Sequence, residues 1–341
     1  MKNGNEPTGT RKVRVGVAGA GKMGQNHIRV LSELSDIYEL VGLYDPDPVK
    51  AVIAKRYGIR YYDDYTEMLR DVDAVTLPCP TSLHKQMAIL AAENDVHALV
   101  EKPIAENLTD AAETCEAFIN RNLVFTVGHV ERFNPVVRAI AELTQDMDIV
   151  AIEVHRCSPY DKRIYDVDVV SDLMIHDIDI VVNALEKKEP TYIQAIGKRV
   201  HTAKFADYAQ ATMAFDDGVM ASITTSRSTE DKIRTICIHA KGAYIEGDML
   251  NKTLTIKHGT KFDNDFGIPS IKYCQSSITE QVVLPNKEPL KEELRNFGEA
   301  ILKGTQPEIG VTEVIRTMVV FDKIAEKIYA GKEHGNDCPI L

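Results

Sequence analysis

The chain has 341 residues, 44% hydrophobic and 27% charged, which is typical of a folded globular protein of two domains. Its formal net charge of −11 argues against a nucleic-acid partner, because phosphate binding needs a basic face. No segment reaches the apolar run of about 18 residues that a membrane span needs, and the polar N-terminus lacks the apolar stretch of a signal peptide. We therefore expect a cytoplasmic protein without a membrane partner.

The first part of the chain alternates strand-like and helix-like segments, a pattern that predicts a parallel sheet with crossover helices. Strands are predicted at 13–17, 39–44, 74–77, 98–100 and 123–127. Helices with apolar residues at three- and four-residue steps are predicted at 23–34, 48–57, 82–93 and 108–120. Residues 11–128 are therefore predicted to form a doubly wound α/β domain of the Rossmann type.

The pattern changes after Gly128, where strands begin to follow one another directly. Asp216-Asp217-Gly218 separates two short strand-like runs, and an Asp-Gly pair in that position is a strong hairpin signal. A strand is also predicted at 149–156, and helices at 135–144, 170–185, 291–302 and 311–329. Residues 129–332 are therefore predicted to form an α+β domain with a mainly antiparallel sheet, which would bind the substrate and carry the catalytic residues.

Gly19-Ala20-Gly21-Lys22-Met23-Gly24 follows the first predicted strand and opens the first predicted helix. In this context a G-x-G-x-x-G sequence is typical of a dinucleotide site. The first glycine permits the tight turn, the second lets the backbone approach a pyrophosphate, and the third allows close helix packing. The pyrophosphate would then bind the free N–H groups at the start of the helix.

Asp45 ends the second predicted strand, 45 − 24 = 21 residues beyond the last glycine of the turn. An acidic side chain at this distance accepts hydrogen bonds from the adenosine ribose and repels a 2′-phosphate. Pro46-Asp47-Pro48 supplies no arginine for such a phosphate, so NAD is favoured over NADP. The alternative is that Asp45 only caps a turn or helix.

Glu101-Lys102-Pro103 lies at the carboxyl end of a predicted parallel strand, the edge at which open α/β sheets bind ligands. Further along the chain, Asp172, His176 and Asp179 have the spacing of one helix face. An imidazole accepts a proton near neutral pH, and a carboxylate one turn away can orient it.

Two alternatives remain open for the spacing of Asp172, His176 and Asp179: a packing histidine satisfied by a carboxylate, or a metal site. The metal site lacks an obvious further ligand, so no metal is predicted. The six cysteines show no metal-site or redox spacing and are expected as free thiols.

Together these motifs resemble the Gfo/Idh/MocA oxidoreductases, over nearly the whole chain. The resemblance rests on four motifs in order: the 19–24 turn with His27, Pro-Thr-Ser-Leu-His at 80–84, Glu-Lys-Pro at 101–103, and the helix 172–179. It implies that Lys102 hydrogen-bonds the substrate near the carbon that loses hydride, that His176 is the acid/base, and that Asp172 assists it or binds a substrate hydroxyl.

The resemblance also implies an NAD site along the first sheet, a cis Lys102–Pro103 bond, and an open second sheet whose free face packs in a homodimer or homotetramer. The complete set of expected cofactor-binding residues is Gly19, Gly21, Lys22, Met23, Gly24, Asp45, Pro80, Thr81, His84, Glu101 and Lys102.

The substrate class is predicted from basic and polar residues around the catalytic helix. Arg132-Phe133-Asn134-Pro135 and the segment 156–163, with Lys162 and Arg163, could receive a diphosphate, although each cation could equally be a solvated loop residue. The expected substrate-binding residues are Lys102, Arg132, Asn134, Arg156, Arg163, Asp172 and His176.

The 132–135 segment and the 172–179 helix resemble family members that oxidise nucleotide-linked sugars, notably UDP-N-acetylglucosamine 3-dehydrogenases. We expect oxidation of a secondary sugar hydroxyl, with UDP-N-acetylglucosamine at C3 as the first choice of substrate. The alternatives are a free sugar or inositol dehydrogenase, an NAD-dependent glycosidase, and a non-catalytic NAD-binding regulator. The joint presence of Lys102, Asp172 and His176 argues against the regulator.

Overall fold

A computed structural model describes residues 11–161, 167–259 and 277–329. The contacts between residues divide the chain into two compact units. The first unit contains the described residues up to Val130 together with Glu288–Ile315, and the second contains Glu131–Lys287 with the described residues from Arg316 onward. Within the described ranges, no helix is long and apolar enough to cross a bilayer.

The described strands, in chain order, are β1 Val13–Ala18, β2 Tyr38–Tyr44, β3 Arg60–Tyr62, β4 Ala74–Leu77, β5 His97–Glu101, β6 Phe125–Gly128, β7 Ile149–Cys157, β8 Tyr192–Lys198, β9 Tyr208–Ala214, β10 Met220–Ser226, β11 Ile233–Ala240, β12 Ala243–Asp248, β13 Thr253–Gly259 and β14 Ser277–Gln281. The described helices are α1 Lys22–Glu33, α2 Ala51–Tyr57, α3 Tyr65–Asp71, α4 Thr81–Glu93, α5 Leu108–Ile119, α6 Pro135–Leu143, α7 Ile175–Asp179, α8 Pro289–Lys303 and α9 Val311–Tyr329. Short 3₁₀ turns cover Pro48–Lys50 and Val130–Phe133.

The first unit contains a six-stranded sheet in the order β3-β2-β1-β4-β5-β6. All of its strand pairs are parallel, which confirms the predicted Rossmann architecture. Parallel strands covered on both faces need continuous apolar sequence rather than alternation. Accordingly, every residue of β4 is buried, and Val15 and Val17 of β1 have no exposed surface.

Helix α8 belongs to the first unit, although the sequence pattern places residues 129–332 in one second domain. Its apolar face, with Leu294 and Phe297, is fully buried in the same core as Leu34 and Ile37. A methyl group on Gly298 would lie within 2.6 Å of Ile37 and Tyr38, so helix and sheet approach closely here. Helix α8, near the end of the sequence, therefore completes the core of the first unit. Local periodicity does not predict this long-range packing.

The second unit contains an eight-stranded sheet in the order β14-β13-β12-β11-β7-β10-β9-β8. Its pairs are antiparallel except for β7 with β10, which confirms the mainly antiparallel prediction. The predicted Asp-Gly hairpin joins β9 to β10, where Gly218 adopts a φ of 90° that favours glycine.

The two faces of the second sheet differ in burial. On β7, Ile152, Val154 and Arg156 point to the buried face, whereas Glu153 and His155 point to the other. This alternation is the period-2 pattern of a sheet covered on one side. The opposite face carries exposed apolar side chains, including Ile196 and Met220.

The segment 170–185 is helical, as predicted, but its geometry is not uniform. The five-residue helix α7 is flanked by π-helical turns at Val170–Met174 and Ile180–Leu185. Such wide turns are rare in proteins, but those that occur often lie at functional sites. They alter the spacing at which Asp172, His176 and Asp179 project from the segment.

The first unit should become less stable as pH falls, because His97 must stay neutral in the fold. Its Nδ1 accepts a hydrogen bond of 2.9 Å from the Val124 N–H, and burial lowers its pKa. The unfolded chain therefore takes up the proton first, so this stability is complete above about pH 6.5 and is lost as pH falls below it. Urea unfolding of wild type and His97→Gln between pH 8 and pH 5 measures this loss.

Wild type should lose more stability than His97→Gln below pH 6.5, by at most about 1.4 kcal/mol per pH unit, the limit for one proton. Above pH 7.5 the two curves should run parallel. Equal slopes at acid pH would show that His97 contributes nothing to the pH dependence.

Candidate active site

The glycine turn has the geometry of a dinucleotide site. Gly19 adopts a φ of 114°, and a Cβ there would lie 2.9 Å from the Pro78 carbonyl oxygen. A Cβ on Gly24 would lie 1.9 Å from the Gly19 oxygen, whereas a Cβ on Gly21 would have no neighbour within 4 Å. The first and third glycines are therefore required for the turn itself, and the second faces open space at the start of α1.

The start of α1 is suited to an anion. Gly21 occupies the N-cap position, no side chain caps the free N–H groups, and the first turn contains no acidic residue. These N–H groups and the helix dipole favour a pyrophosphate. The helix start thus leaves its hydrogen-bond donors available to a ligand.

A cavity of about 730 Å³ adjoins this turn within the first unit. Of the predicted cofactor-binding residues, it is lined by Gly19, Gly21, Lys22, Met23, Asp45 and Pro80. Further lining residues that the sequence reasoning missed include Tyr44, Lys50, Leu83 and Met87. The size, the apolar walls and the glycine turn fit the adenosine and pyrophosphate of a dinucleotide.

Asp45 is nearly buried and has a double role. One carboxylate oxygen accepts from the Ala20 N–H at 2.7 Å, and the other accepts from the Asp47 N–H at 2.9 Å. Asp45 therefore holds the glycine turn and its own loop, as the turn-cap alternative supposed, and also lines the cavity. The two roles are compatible because a carboxylate has about four acceptor sites.

Replacing Asp45 should weaken NAD binding and favour NADP. A hydrogen bond to a charged group contributes about 1.5–3 kcal/mol, so Asp45→Ser should raise the Kd for NAD about tenfold or more. The repulsion of a 2′-phosphate disappears, and Lys50, a basic residue, lines the same cavity. Titration of both cofactors by fluorescence tests this.

The matched control for Asp45→Ser is Asp47→Ser, which removes the same charge two residues away. The Asp47 carboxylate caps the 3₁₀ turn at Val49 and does not line the cavity. An equal loss of NAD affinity in both variants would refute a ribose contact by Asp45.

Glu101 is buried at the end of β5 and pairs with His27 of α1. Its Oε1 lies 3.0 Å from His27 Nε2, and its Oε2 accepts from the Lys102 N–H at 3.3 Å. Burial alone would raise the pKa of Glu101, but the hydrogen bond from His27 and the charge of Lys102 outweigh it and hold the pKa below its usual value. The ionised Glu101 is thus a fixed negative charge beside Lys102.

His84 connects the loops that follow β4 and β5. Its Nδ1 lies 2.8 Å from the Pro103 carbonyl oxygen and its Nε2 lies 2.9 Å from the Cys79 oxygen. The Lys102–Pro103 peptide bond is cis, as the family resemblance implied. Because both ring nitrogens of His84 face loop carbonyl oxygens and the side chain is buried, its position supports these loops rather than direct cofactor contact.

In the second unit, Asp172 lies beside a buried arginine that the sequence reasoning missed. Arg227 Nη2 lies 3.5 Å from Asp172 Oδ2, and its Nη1 donates to the Val167 carbonyl oxygen at 2.8 Å. Asp172 and His176 are both partly exposed. Arg227 directly follows β10 and is itself buried, and a buried arginine requires a carboxylate or carbonyl partner.

Asp179 differs from Asp172 and His176 because it is 1% exposed. It accepts from Asn183 Nδ2 at 2.8 Å and lies 3.4 Å from Arg132 Nη1. Arg132, which is predicted to bind substrate, is thus paired with a buried carboxylate of the protein. These contacts favour structural roles for Asp179 and Arg132.

Two further residues expected at the substrate are also buried among protein partners. Asn134 caps α6 by accepting from the Val136 N–H, and it donates to Glu131 Oε2 and to the Met249 oxygen. Arg156 is 1% exposed and bonds Asp177 and Glu131. An asparagine before a helix-opening proline signals an N-cap, and the strand alternation puts Arg156 on the buried face.

The protein partners of Arg132, Asn134 and Arg156 favour structural roles for these side chains. Substrate binding by the three residues stays a prediction. Arg163 and Lys162 lie outside the described residues, as do Cys274 and Cys338. The four cysteines within the described ranges are free thiols. In the same ranges, no group of three His, Cys, Asp or Glu side chains could hold a metal ion.

Comparison with known proteins places the chain in one family. Residues 13–129 match the oxidoreductase family model with an NAD-binding Rossmann fold, and residues 149–246 match the GFO/IDH/MocA C-terminal domain model. The chain is 31% identical over 293 residues to UDP-N-acetylglucosamine 3-dehydrogenase of Acidithiobacillus ferrooxidans, covering 85% of this chain and 88% of that protein. It is also 27% identical to scyllo-inositol 2-dehydrogenase (NAD(+)) of Bacillus subtilis, covering 87% and 88%.

Solved structures show the same fold. The structure of the Acidithiobacillus ferrooxidans UDP-N-acetylglucosamine 3-dehydrogenase superposes with a TM-score of 0.84 at 27% identity, over 94% of this chain and 98% of that one. A levoglucosan dehydrogenase with NADH and levoglucosan superposes with a TM-score of 0.81 at 18% identity, over 95% and 98%.

The fold and the two family models define an NAD-binding oxidoreductase. The chain belongs to the Gfo/Idh/MocA family, its cofactor is NAD, and both predictions are confirmed.

Proposed function

We propose that the protein oxidises a secondary hydroxyl of a nucleotide sugar, with UDP-N-acetylglucosamine at C3 as the first candidate. The observation that carries this proposal is the 31% identity to UDP-N-acetylglucosamine 3-dehydrogenase over 85% of the chain. The presence of Lys102, Asp172 and His176 supports a catalytic rather than a purely regulatory role.

The proposed roles follow from the chemistry of each side chain. His176 accepts the proton of the substrate hydroxyl, because an imidazole titrates near neutral pH. The Lys102 ammonium, beside the ionised Glu101, donates a hydrogen bond to the same oxygen as charge develops on it. Asp172, adjacent to Arg227, orients His176 or accepts from a neighbouring sugar hydroxyl. NAD, which the glycine turn and Asp45 would hold, would supply the hydride acceptor.

The substrate can be tested directly with the purified wild-type protein. NAD is added with UDP-N-acetylglucosamine, UDP-glucose, glucose, myo-inositol or scyllo-inositol, and NADH absorbance is followed at 340 nm, the usual wavelength. NADH formed only with a UDP-sugar supports the proposal, and NMR of the product identifies the new keto carbon. NADH formed only with an inositol or a free sugar would contradict the nucleotide-sugar substrate.

An inositol dehydrogenase is the second candidate, because scyllo-inositol 2-dehydrogenase matches over 87% of this chain. Glycoside hydrolysis with retained NAD and no net NADH would instead indicate an NAD-dependent glycosidase. NAD binding without either activity would leave the regulatory alternative.

The protein is also proposed to be a cytoplasmic homodimer or homotetramer. The open face of the second sheet carries the exposed apolar side chains Tyr192, Ile196 and Met220, whose exposed fractions are 55%, 69% and 55%. Exposed apolar side chains on one face of a sheet favour burial against another copy. Analytical ultracentrifugation of wild type and an Ile196→Asp variant tests this, because a monomeric wild type would contradict it.

A further inference from the structure

Asp177, the residue that follows His176 in the chain, belongs to a buried network of charged side chains. Asp177 is 0% exposed, and the Arg156 Nε lies 2.9 Å from each of its two carboxylate oxygens. The Arg156 Nη2 adds a third contact of 2.8 Å to Asp177 Oδ1. This side-on arrangement fixes both the distance and the plane of the carboxylate.

The network continues from Arg156 to the start of the second unit. Arg156 Nη1 donates to Glu131 Oε1 at 3.1 Å, and Arg234 Nη1 donates to the same oxygen at 2.9 Å. Asn134 Nδ2 donates to the other Glu131 oxygen at 3.0 Å. Two guanidinium groups thus balance two carboxylates, and the network joins β7, β11, α7 and the segment that precedes α6.

Stability alone is a weak reason for such a network. Burial of an ion pair costs desolvation energy, and apolar residues of similar volume are often equally stable or more stable. Burial indeed raises the pKa of Asp177, and the Arg156 guanidinium opposes that effect only in part. A bidentate pair does, however, specify orientation, which an apolar contact specifies poorly.

Helix α7 depends on contacts with other elements to fix its rotation about its own axis. The helix has only five residues, and π-helical turns at both of its ends interrupt the regular hydrogen-bond ladder. A short helix between two wide turns has little intrinsic control over its rotation. His176 and Asp177 are consecutive, so the direction of one side chain depends on where the other is held.

We propose that Arg156 and Asp177 are positioning residues, which fix the rotation of α7 and thereby the direction in which His176 projects. The inference rests on the proposed function, in which His176 accepts the substrate proton. Its consequence is that Arg156, expected from sequence to bind substrate, acts on the reaction through His176 instead.

The test is an Arg156→Met/Asp177→Leu double variant, which removes one charge of each sign and leaves none uncompensated. We expect its thermal midpoint and its Kd for NAD to stay close to wild type. Because a misplaced catalytic group can cost about 100-fold in rate, kcat should fall by roughly 10- to 100-fold with a smaller change in KM. The matched control is Lys188→Met, which breaks partly exposed pairs with Asp216 and Asp217 in the same unit and should leave kcat unchanged.

Hydrogen exchange of the amides 175–179 provides a readout that does not depend on activity. These amides should exchange faster in the double variant than in wild type. Asp177→Asn keeps the shape of the side chain and serves as the second variant if the double variant fails to fold; its amides should also exchange faster, to a smaller extent. A folded variant with wild-type kcat and wild-type exchange overturns the inference. If wild type forms no NADH with any substrate, the proposed function fails, while the exchange experiment still tests the positioning of α7.

Discussion

Replacing His176 with alanine should lower kcat by about 10²–10⁴-fold, the usual contribution of a general acid/base. His176 is not among the residues that line the cofactor cavity, so the Kd for NAD should be unchanged. Free imidazole added to the variant should restore part of the activity, because it can accept the proton that we propose for His176. Steady-state kinetics with UDP-N-acetylglucosamine and NAD measure kcat and its recovery by imidazole, and fluorescence titration measures the Kd for NAD.

The control for His176→Ala is His155→Ala, which removes an exposed imidazole from the open face of the second sheet. This variant should retain the kcat of wild type. Full activity of His176→Ala, or an equal loss in both variants, would remove His176 from the mechanism. The same assay with Lys102→Ala tests the proposed hydrogen bond to the reacting oxygen independently.

Replacing Phe297 with alanine should destabilise the first unit by about 3–5 kcal/mol, the usual cost of removing a buried phenyl ring. Phe297 is fully buried in the core that also contains Leu34 and Ile37. Because a chain of two units need not unfold in one step, the unfolding of the first unit is followed through loss of NAD binding in urea. The midpoint for that loss should fall sharply.

Leu302 of the same helix provides the control, because its side chain is 40% exposed. Leu302→Ala should change the free energy of unfolding by only about 0.5 kcal/mol, as surface substitutions usually do. If Phe297→Ala spared NAD binding and instead destabilised only the second unit, α8 would not belong to the first core.

The architecture of both sheets could be predicted because their signals are local. Buried parallel strands require apolar runs such as 74–77, and the Asp217-Gly218 pair specifies a hairpin between neighbours in the chain. The dinucleotide turn was predictable for the same reason, since three glycines at fixed spacing meet steric demands within one turn. In each case the physical cause acts over a few residues.

The features that could not be predicted depend on distant partners. Nothing near Phe297 indicates that its ring belongs to the same core as Leu34, and a π-helical turn leaves no periodic signature in a short segment. The carboxylate partners of Arg132 and Arg156 could not be predicted, because a basic residue looks the same in sequence whether it faces a phosphate or a buried carboxylate. For Arg156 the strand alternation contained the signal, since its position shares a face with Ile152 and Val154.

The late return of α8 has a consequence for synthesis on the ribosome. Between Val130 and Glu288 the chain adds 288 − 130 = 158 residues, which takes roughly 8–30 s at about 5–20 residues per second. During that interval the nascent first unit carries Leu34, Ile37 and Tyr38 without the helix that buries them. An apolar surface exposed for so long is a binding site for general chaperones, so ribosome-bound chains that end before residue 288 should recruit them and the released full-length chain should not.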